Sequence, residues 1–97
     1  MVIIGSDHTG IELKKKIINY LYDNHVEYAD VTNYANQEGD DYPDIALTVC
    51  SEVLKNSNNL GIAICGTGIG ISIACNKIRG IRAAVCTDRY MAEMTRH

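Results

Sequence analysis

Apolar and polar positions follow one another along the chain in blocks, short apolar runs giving way to stretches with a helical repeat. Val2 to Gly5 is an unbroken apolar run ending in Ser6-Asp7-His8, the pattern of a strand buried on both faces. Thr9 and Glu12 stand at capping-box spacing and start a helix whose apolar positions Leu13, Ile17, Ile18 and Leu21 keep to one face. Lys14, Lys15 and Lys16 point in three directions and read as a solvated outer face; Asp23-Asn24 closes the helix. Glu27 to Val31 predicts a second strand. Thr32 to Asp41 is polar, carries Gly39 and reads as a loop, of a length that is often functional in compact domains.

Asp41-Tyr42-Pro43-Asp44 ends that loop, with Pro43 suited to the first turn of a helix. Ile45, Val49 and Val53 repeat at four residues, so this helix buries one stripe and runs to the Asn56-Ser57-Asn58-Asn59 turn. Residues 60 to 65 predict a third strand. Beyond it Ile71, Ala74, Cys75 and Ile78 meet the helical template, and Gly80 stops that helix. Ile81 to Cys86 predicts a fourth strand, followed by Thr87-Asp88 and a last helix from Arg89 to His97.

Strand and helix thus alternate four times, which predicts an α/β fold: a three-layer αβα sandwich, a Rossmann-like parallel sheet with helices on both faces and right-handed crossovers. Residues 1–97 form one domain. Its last helix ends on Arg96-His97 without glycine, asparagine or a following strand, so the domain is expected to lack its C-terminal portion.

Composition narrows the partners. The chain is 46% apolar and 22% charged, ordinary for a globular domain, and its aromatics are six tyrosines without Phe or Trp, so the core must be aliphatic. A formal charge of -3 argues against nucleic acid or an anionic membrane surface, which call for a basic face. No apolar run approaches the roughly 18 residues of a membrane span, and the N-terminus lacks the features of a signal peptide, so a cytoplasmic location is expected. Cys50, Cys65, Cys75 and Cys86 are expected to be free thiols, with Cys50, Cys75 and Cys86 as packing. With no C-x-x-C and with His8, His25 and His97 scattered, no metal site is expected.

In open parallel sheets, ligands bind outside the carboxyl ends of the strands. Those ends carry Asp7 and His8, then Cys65 to Gly70, then Thr87 and Asp88, which should converge on one edge. Leu60 to Gly70 reads Leu-Gly-Ile-Ala-Ile-Cys-Gly-Thr-Gly-Ile-Gly, placing Cys65 where a buried strand hands over to a helix N-terminus. Such a place offers several backbone N–H groups and lowers a thiol's pKa. Residue 71 is Ile where a tyrosine-phosphatase loop needs Arg, the glycines miss the Gly-x-Gly-x-x-Gly spacing, and no Gly-Lys-Ser/Thr follows. What remains is a thiolate beside an oxyanion hole, with a carboxylate and an imidazole across the cleft. That set suits proton abstraction alpha to a carbonyl, hence aldose-ketose isomerisation, with neither metal nor organic cofactor.

Gly5-Ser6-Asp7-His8-Thr9-Gly10, Asp41-Tyr42-Pro43-Asp44, Ile64 to Ala74, Asn76-Lys77 and Gly80-Ile81-Arg82-Ala83, in this order, closely resemble the family of ribose-5-phosphate isomerase B and the galactose-6-phosphate isomerase subunits. The resemblance implies a catalytic set of Cys65, Thr67 and Asp7, with Cys65 moving the proton between carbons. It implies that Gly66, Thr67, Gly68, Ile69 and Gly70 hold the enediolate oxygen and that Asp7 handles a sugar hydroxyl or ring-opening proton. His8 would touch the phosphate, and Asp41 and Tyr42 would hold the sugar. It further implies a phosphorylated sugar as partner, no cofactor, and a homodimer or tetramer with a shared site. The substrate expected is ribose 5-phosphate in the pentose phosphate pathway; a six-carbon sugar phosphate, of allose or galactose, is the alternative.

Where the family continues Arg-x-His-Asn-Asp, this chain ends Arg96-His97, so the family's ring-opening histidine would fall one position later. A further strand, a long helix and the arginines that clamp phosphate also lie outside these 97 residues, which are not expected to turn over by themselves. Two other classes share the alternation. A non-catalytic sugar-phosphate-binding subunit would lack competent side chains, against the presence of Cys65 and Asp7-His8. A flavodoxin-like or receiver-like module needs a phosphate loop or an acidic cluster, and neither is present. His25 reads as a surface turn residue, and Tyr90, Met91 and Met94 as a helix face or subunit contact.

Overall fold

A computed structural model describes residues 1–32 and 42–96. Three parallel strands form the sheet in the order β2-β1-β3: β1 (Val2–Ser6), β2 (Tyr28–Asp30) and β3 (Leu60–Ile64). Val2 pairs with Tyr28 on one side and Leu60 on the other, and the β1–β3 register runs on to Ser6 and Ile64. The central position explains why the apolar run of β1 is unbroken, since both its faces must be covered.

Helix α1 (Ile11–Asp23) follows a 3-10 turn at His8–Gly10; α2 (Tyr42–Val53), α3 (Ile69–Asn76) and α4 (Arg89–Met94) complete the described elements. Ile3 packs with Ile45, Ala46, Val49 and Cys50 of α2 and Ile71 and Cys75 of α3. Each large aliphatic side chain there contributes about 1.5–3 kcal/mol. Ile4 and Ser6 alternate to the other face, where Gly10 approaches so closely that an added Cβ would stand 2.6 Å from Ile64 Cγ2 and 3.0 Å from Ser6 Cβ. The expected parallel sheet with helices on both faces is thus present. None of the described helices is long and apolar enough to cross a membrane.

Several expectations need correction. Ile81–Cys86 is not a strand: it forms no ladder among the described residues, although Ile81, Ala83 and Val85 are half-buried and Arg82, Ala84 and Cys86 exposed. The segment keeps the period of a strand with no strand partner among the described residues, and a side chain holds its backbone at one residue: Asn76 Nδ2 donates to Ala83 O and Asn76 Oδ1 accepts from Ala83 N–H, both at 2.8 Å. Cys86 is accordingly exposed rather than packed, whereas Cys50 and Cys75 lie in the core as expected.

On α1 the stripe is turned by one position. Lys14 is buried, Ile17 and Ile18 are half-buried, and Leu13 is exposed. The cap is also different: Asp7, not Thr9, takes the free N–H groups of the turn. α1 ends in a Schellman motif, with Val26 N–H on Leu21 O and His25 N–H on Tyr22 O, and His25 at φ 57°. Gly80 does have positive φ, but α3 ends earlier, at Asn76, and α4 ends at Met94. Most of the polar loop, residues 33–41, lies outside the described residues.

Candidate active site

β1 and β3 run side by side to their carboxyl ends, and the ladder continues one bond beyond the strands, Asp7 N–H donating to Ile64 O at 3.1 Å. Asp7 and the residue after Ile64, Cys65, therefore leave the sheet together. From there the chains part: β1 leads to α1 on one face, β3 to α3 on the other. In open α/β sheets such a parting of the chains forms the crevice, at the strand ends, where ligands bind.

On the β1 side, Asp7 is nearly buried and its Oδ1 accepts three bonds, from Thr9 N–H at 2.9 Å, Thr9 Oγ1 at 2.6 Å and Gly10 N–H at 3.2 Å. Among the described residues every hydrogen bond to this carboxylate falls on Oδ1. The carboxylate is thus held by one oxygen. His8 is exposed beside it.

On the β3 side, Cys65 is half-buried and its sulfur accepts the Gly68 N–H at 3.3 Å. Gly68 has φ 80°, a left-handed conformation that a side chain would strain, and this bend turns its N–H back toward Cys65 before α3 begins. Ile69 N–H is taken by Thr67 Oγ1 at 3.2 Å. The expected cradle from Gly66 to Gly70 is therefore partly used by its own loop: Gly68 serves the sulfur and Ile69 serves Thr67. The two sides approach each other, since a Cβ on Gly66 would stand 3.7 Å from Thr9 Oγ1.

The crevice brings together Asp7, His8 and Cys65 to Gly70. Thr87 and Asp88 have other work: Asp88 caps α4 by accepting Met91 N–H at 2.8 Å, and Thr87 Oγ1 lies 3.2 Å from Met91 Sδ. Asp41 lies outside the described residues, and Tyr42 opens α2. Two concavities elsewhere, one lined by Tyr22, His25 and Tyr28, the other by Leu47, Ile73 and Lys77, include neither Cys65 nor Asp7.

Sequence reasoning missed the group behind β1. Lys14, assigned to solvent, has its ammonium 3.0 Å from Asp30 Oδ2 and 3.5 Å from Thr32 Oγ1, and Thr32 Oγ1 accepts Ser6 N–H at 2.9 Å. A signal was available, because Lys14 stands at i, i+4 and i+7 with Ile18 and Leu21.

The chain is similar to proteins whose names bear on this crevice. "Ribose-5-P isomerase B" of Listeria innocua is 45% identical over 95 residues, 98% of this chain and 64% of that protein. The solved structure of ribose-5-phosphate isomerase B from Clostridium thermocellum superposes with a TM-score of 0.88 at 50% identity, covering 98% of this chain and 64% of that one. That of Mycoplasma genitalium, solved with bound ribulose 5-phosphate, gives 0.89 at 42% identity, over 98% of this chain and 63% of that one. The chain spans 62–64% of the length of the first curated relatives it matches. The model of the Ribose/Galactose Isomerase family matches residues 2–97, and to that family this chain belongs.

Proposed function

We propose that the protein is an aldose-ketose isomerase that interconverts ribose 5-phosphate and ribulose 5-phosphate, with Cys65 as the base. The observation that carries the reading is the Gly68 N–H donated to Cys65 Sγ at 3.3 Å, at the end of a strand whose neighbour ends in Asp7. The thiolate takes the proton from C2 of the open aldose, and the electron pair passes to the carbonyl oxygen at C1, leaving an enediolate. A proton moves between the two oxygens, and the sulfur returns its proton to C1, which yields the ketose. Gly66, Thr67 and Gly70 amides, beside Gly68 and Ile69, would hold the enediolate oxygen. Asp7 would use Oδ2, which carries no hydrogen bond among the described residues, for a sugar hydroxyl or for ring opening, and the exposed His8 would touch the phosphate. Asp41 and Tyr42 complete the sugar's contacts.

The protein works in the cytoplasm, where phosphorylated sugars and free thiols are found, as a homodimer or tetramer whose site is shared between subunits. The reaction asks for no cofactor. A six-carbon substrate is the second reading, favoured by the family's description, which pairs galactose with ribose.

The test is conversion of ribose 5-phosphate by the full-length protein in D2O, read by NMR, with galactose 6-phosphate in parallel. Deuterium entering C1 of ribulose 5-phosphate is expected, as is at least a thousandfold loss in Cys65→Ala with substrate binding retained. A Cys65→Ala protein of undiminished rate removes the sulfur from the mechanism, and an unchanged pentose removes the substrate.

A further inference from the structure

Lys14 is a buried charge for which the crevice has no direct use. Its ammonium reaches both oxygens of Asp30, at 3.0 and 3.2 Å, and lies 3.5 Å from Thr32 Oγ1; the Lys14 side chain is 4% exposed and Thr32 is fully buried. Thr32 is tied to Asp30 as well, through its N–H at 3.1 Å. The β1–β2 pairing stops at Ile4 and Asp30, with one further bond from Val31 N–H to Ile4 O. Ser6, two residues on, meets no strand on that side among the described residues. Its N–H goes instead to Thr32 Oγ1 at 2.9 Å, so a hydroxyl stands in for the next ladder carbonyl. The last residue before Asp7 is held by that hydroxyl, and the hydroxyl is held by the ion pair.

Stability alone is a poor account of this arrangement. A buried ion pair carries a desolvation cost that apolar replacements avoid, and such replacements are often neutral or stabilising. Ser6 Oγ, buried and facing Gly10, has no hydrogen-bond partner among the described residues, which is a further cost at the same strand end. Costs gathered where a sheet ends, beside a crevice, are expected where geometry is under selection.

The geometry points to Lys14, Asp30 and Thr32 as positioning residues that fix the end of β1 and thereby place Asp7 against Cys65 for the sugar phosphate. This rests on the isomerase reading above. None of the three touches the substrate; they act through Ser6 and the turn that Asp7 caps.

Two variants test it in the full-length protein. Thr32→Val removes the hydroxyl at equal volume, and Lys14→Met with Asp30→Leu replaces the pair by apolar side chains so that no lone charge is left buried. Both are expected to fold and to raise KM for ribose 5-phosphate about tenfold while kcat changes less than threefold. Amide exchange at Ser6, Thr9 and Gly10 should quicken at least tenfold with the Ile4 and Ile62 amides unchanged. Thr32→Ser should restore both readings to within twofold. Wild-type KM and wild-type exchange in the folded variants overturn the inference, and so does exchange that quickens evenly across the sheet, since that is loss of stability. If the wild-type protein converts no sugar phosphate while the local exchange effect holds, the isomerase reading fails and the placement of Asp7 by this network stands.

Discussion

The side-chain amide of Asn76 holds the backbone of Ala83 from both ends, donating to its carbonyl and accepting its N–H at 2.8 Å each. It takes the part of a neighbouring strand for one residue. Asn76 Nδ2 also reaches Ser72 O at 3.0 Å, so the same group ties the extended segment to α3. Each such bond is worth about 0.5–1.5 kcal/mol, and the site is exposed, so Asn76→Ala should cost about 1–2 kcal/mol. Trypsin cleavage after the exposed Arg82 should quicken in the variant; an unchanged cleavage rate would show that other contacts hold the segment.

Gly68 carries two demands at once, a φ of 80° and an N–H aimed at sulfur. An added Cβ would lie 3.5 Å from Val85 Cγ1, ordinary contact, so Gly68→Ala is strained by its backbone and not by crowding. The strain is about 1–2 kcal/mol. Relief requires the bend to open, which turns the N–H away from Cys65. Alkylation of Cys65 by iodoacetamide at neutral pH is expected to slow about tenfold in Gly68→Ala, and, on the proposed function, sugar-phosphate isomerisation by the full-length protein with it. Equal alkylation rates in the two proteins would separate the amide from the thiol's reactivity.

His25 adopts φ 57° at the position after the α1 cap where glycine is usual. It is exposed, and among the described residues its side chain makes no hydrogen bond that the change would forfeit. His25→Gly should therefore stabilise the protein by about 0.5–1 kcal/mol, the strain relieved being larger than the added freedom of the unfolded chain. Urea unfolding measures this directly, and a lower midpoint would contradict the account of the motif.

Cys50 lies in the core against Cys75, where burial first, and the neighbouring thiol second, push its pKa from 9.0 up to about 12. Below pH 9 the thiol is neutral in folded and unfolded chains alike, and its contribution to stability is fully present. As pH rises from 9 toward 12 the unfolded chain ionises first, so stability falls by up to about 1.4 kcal/mol per pH unit. A Cys50→Ala protein should lack this component of the alkaline loss; identical pH slopes in the two proteins would exclude it. In the native protein at pH 8, Ellman's reagent should find Cys65 and Cys86, and reach Cys50 and Cys75 only on unfolding.

Much of the fold was legible because its signals are local. An unbroken apolar run marks β1 as central, and the spacing of Ile71, Ala74 and Cys75 marks α3, whichever neighbours they meet. The crevice was legible for the same reason: Asp7 and Cys65 follow their strands directly, and parallel strands end on the same side. Ile81–Cys86 was misread because alternation describes side chains, whereas a strand also requires a backbone partner, which no local pattern supplies.

By itself the sequence determined the alternation of the first three strands with their helices, the burial of β1 on both faces, and the meeting of a cysteine, a run of glycines and an aspartate at one sheet edge. Each follows from periodicity or chain order, which need only a few neighbouring residues. Tertiary structure alone decided that Lys14 turns inward to Asp30, that Thr32 takes the Ser6 N–H, and that Gly68 aims its own at Cys65. Two of these contacts join groups 16 and 26 residues apart, and the third depends on one backbone torsion, so they arise from packing and conformation rather than from pattern.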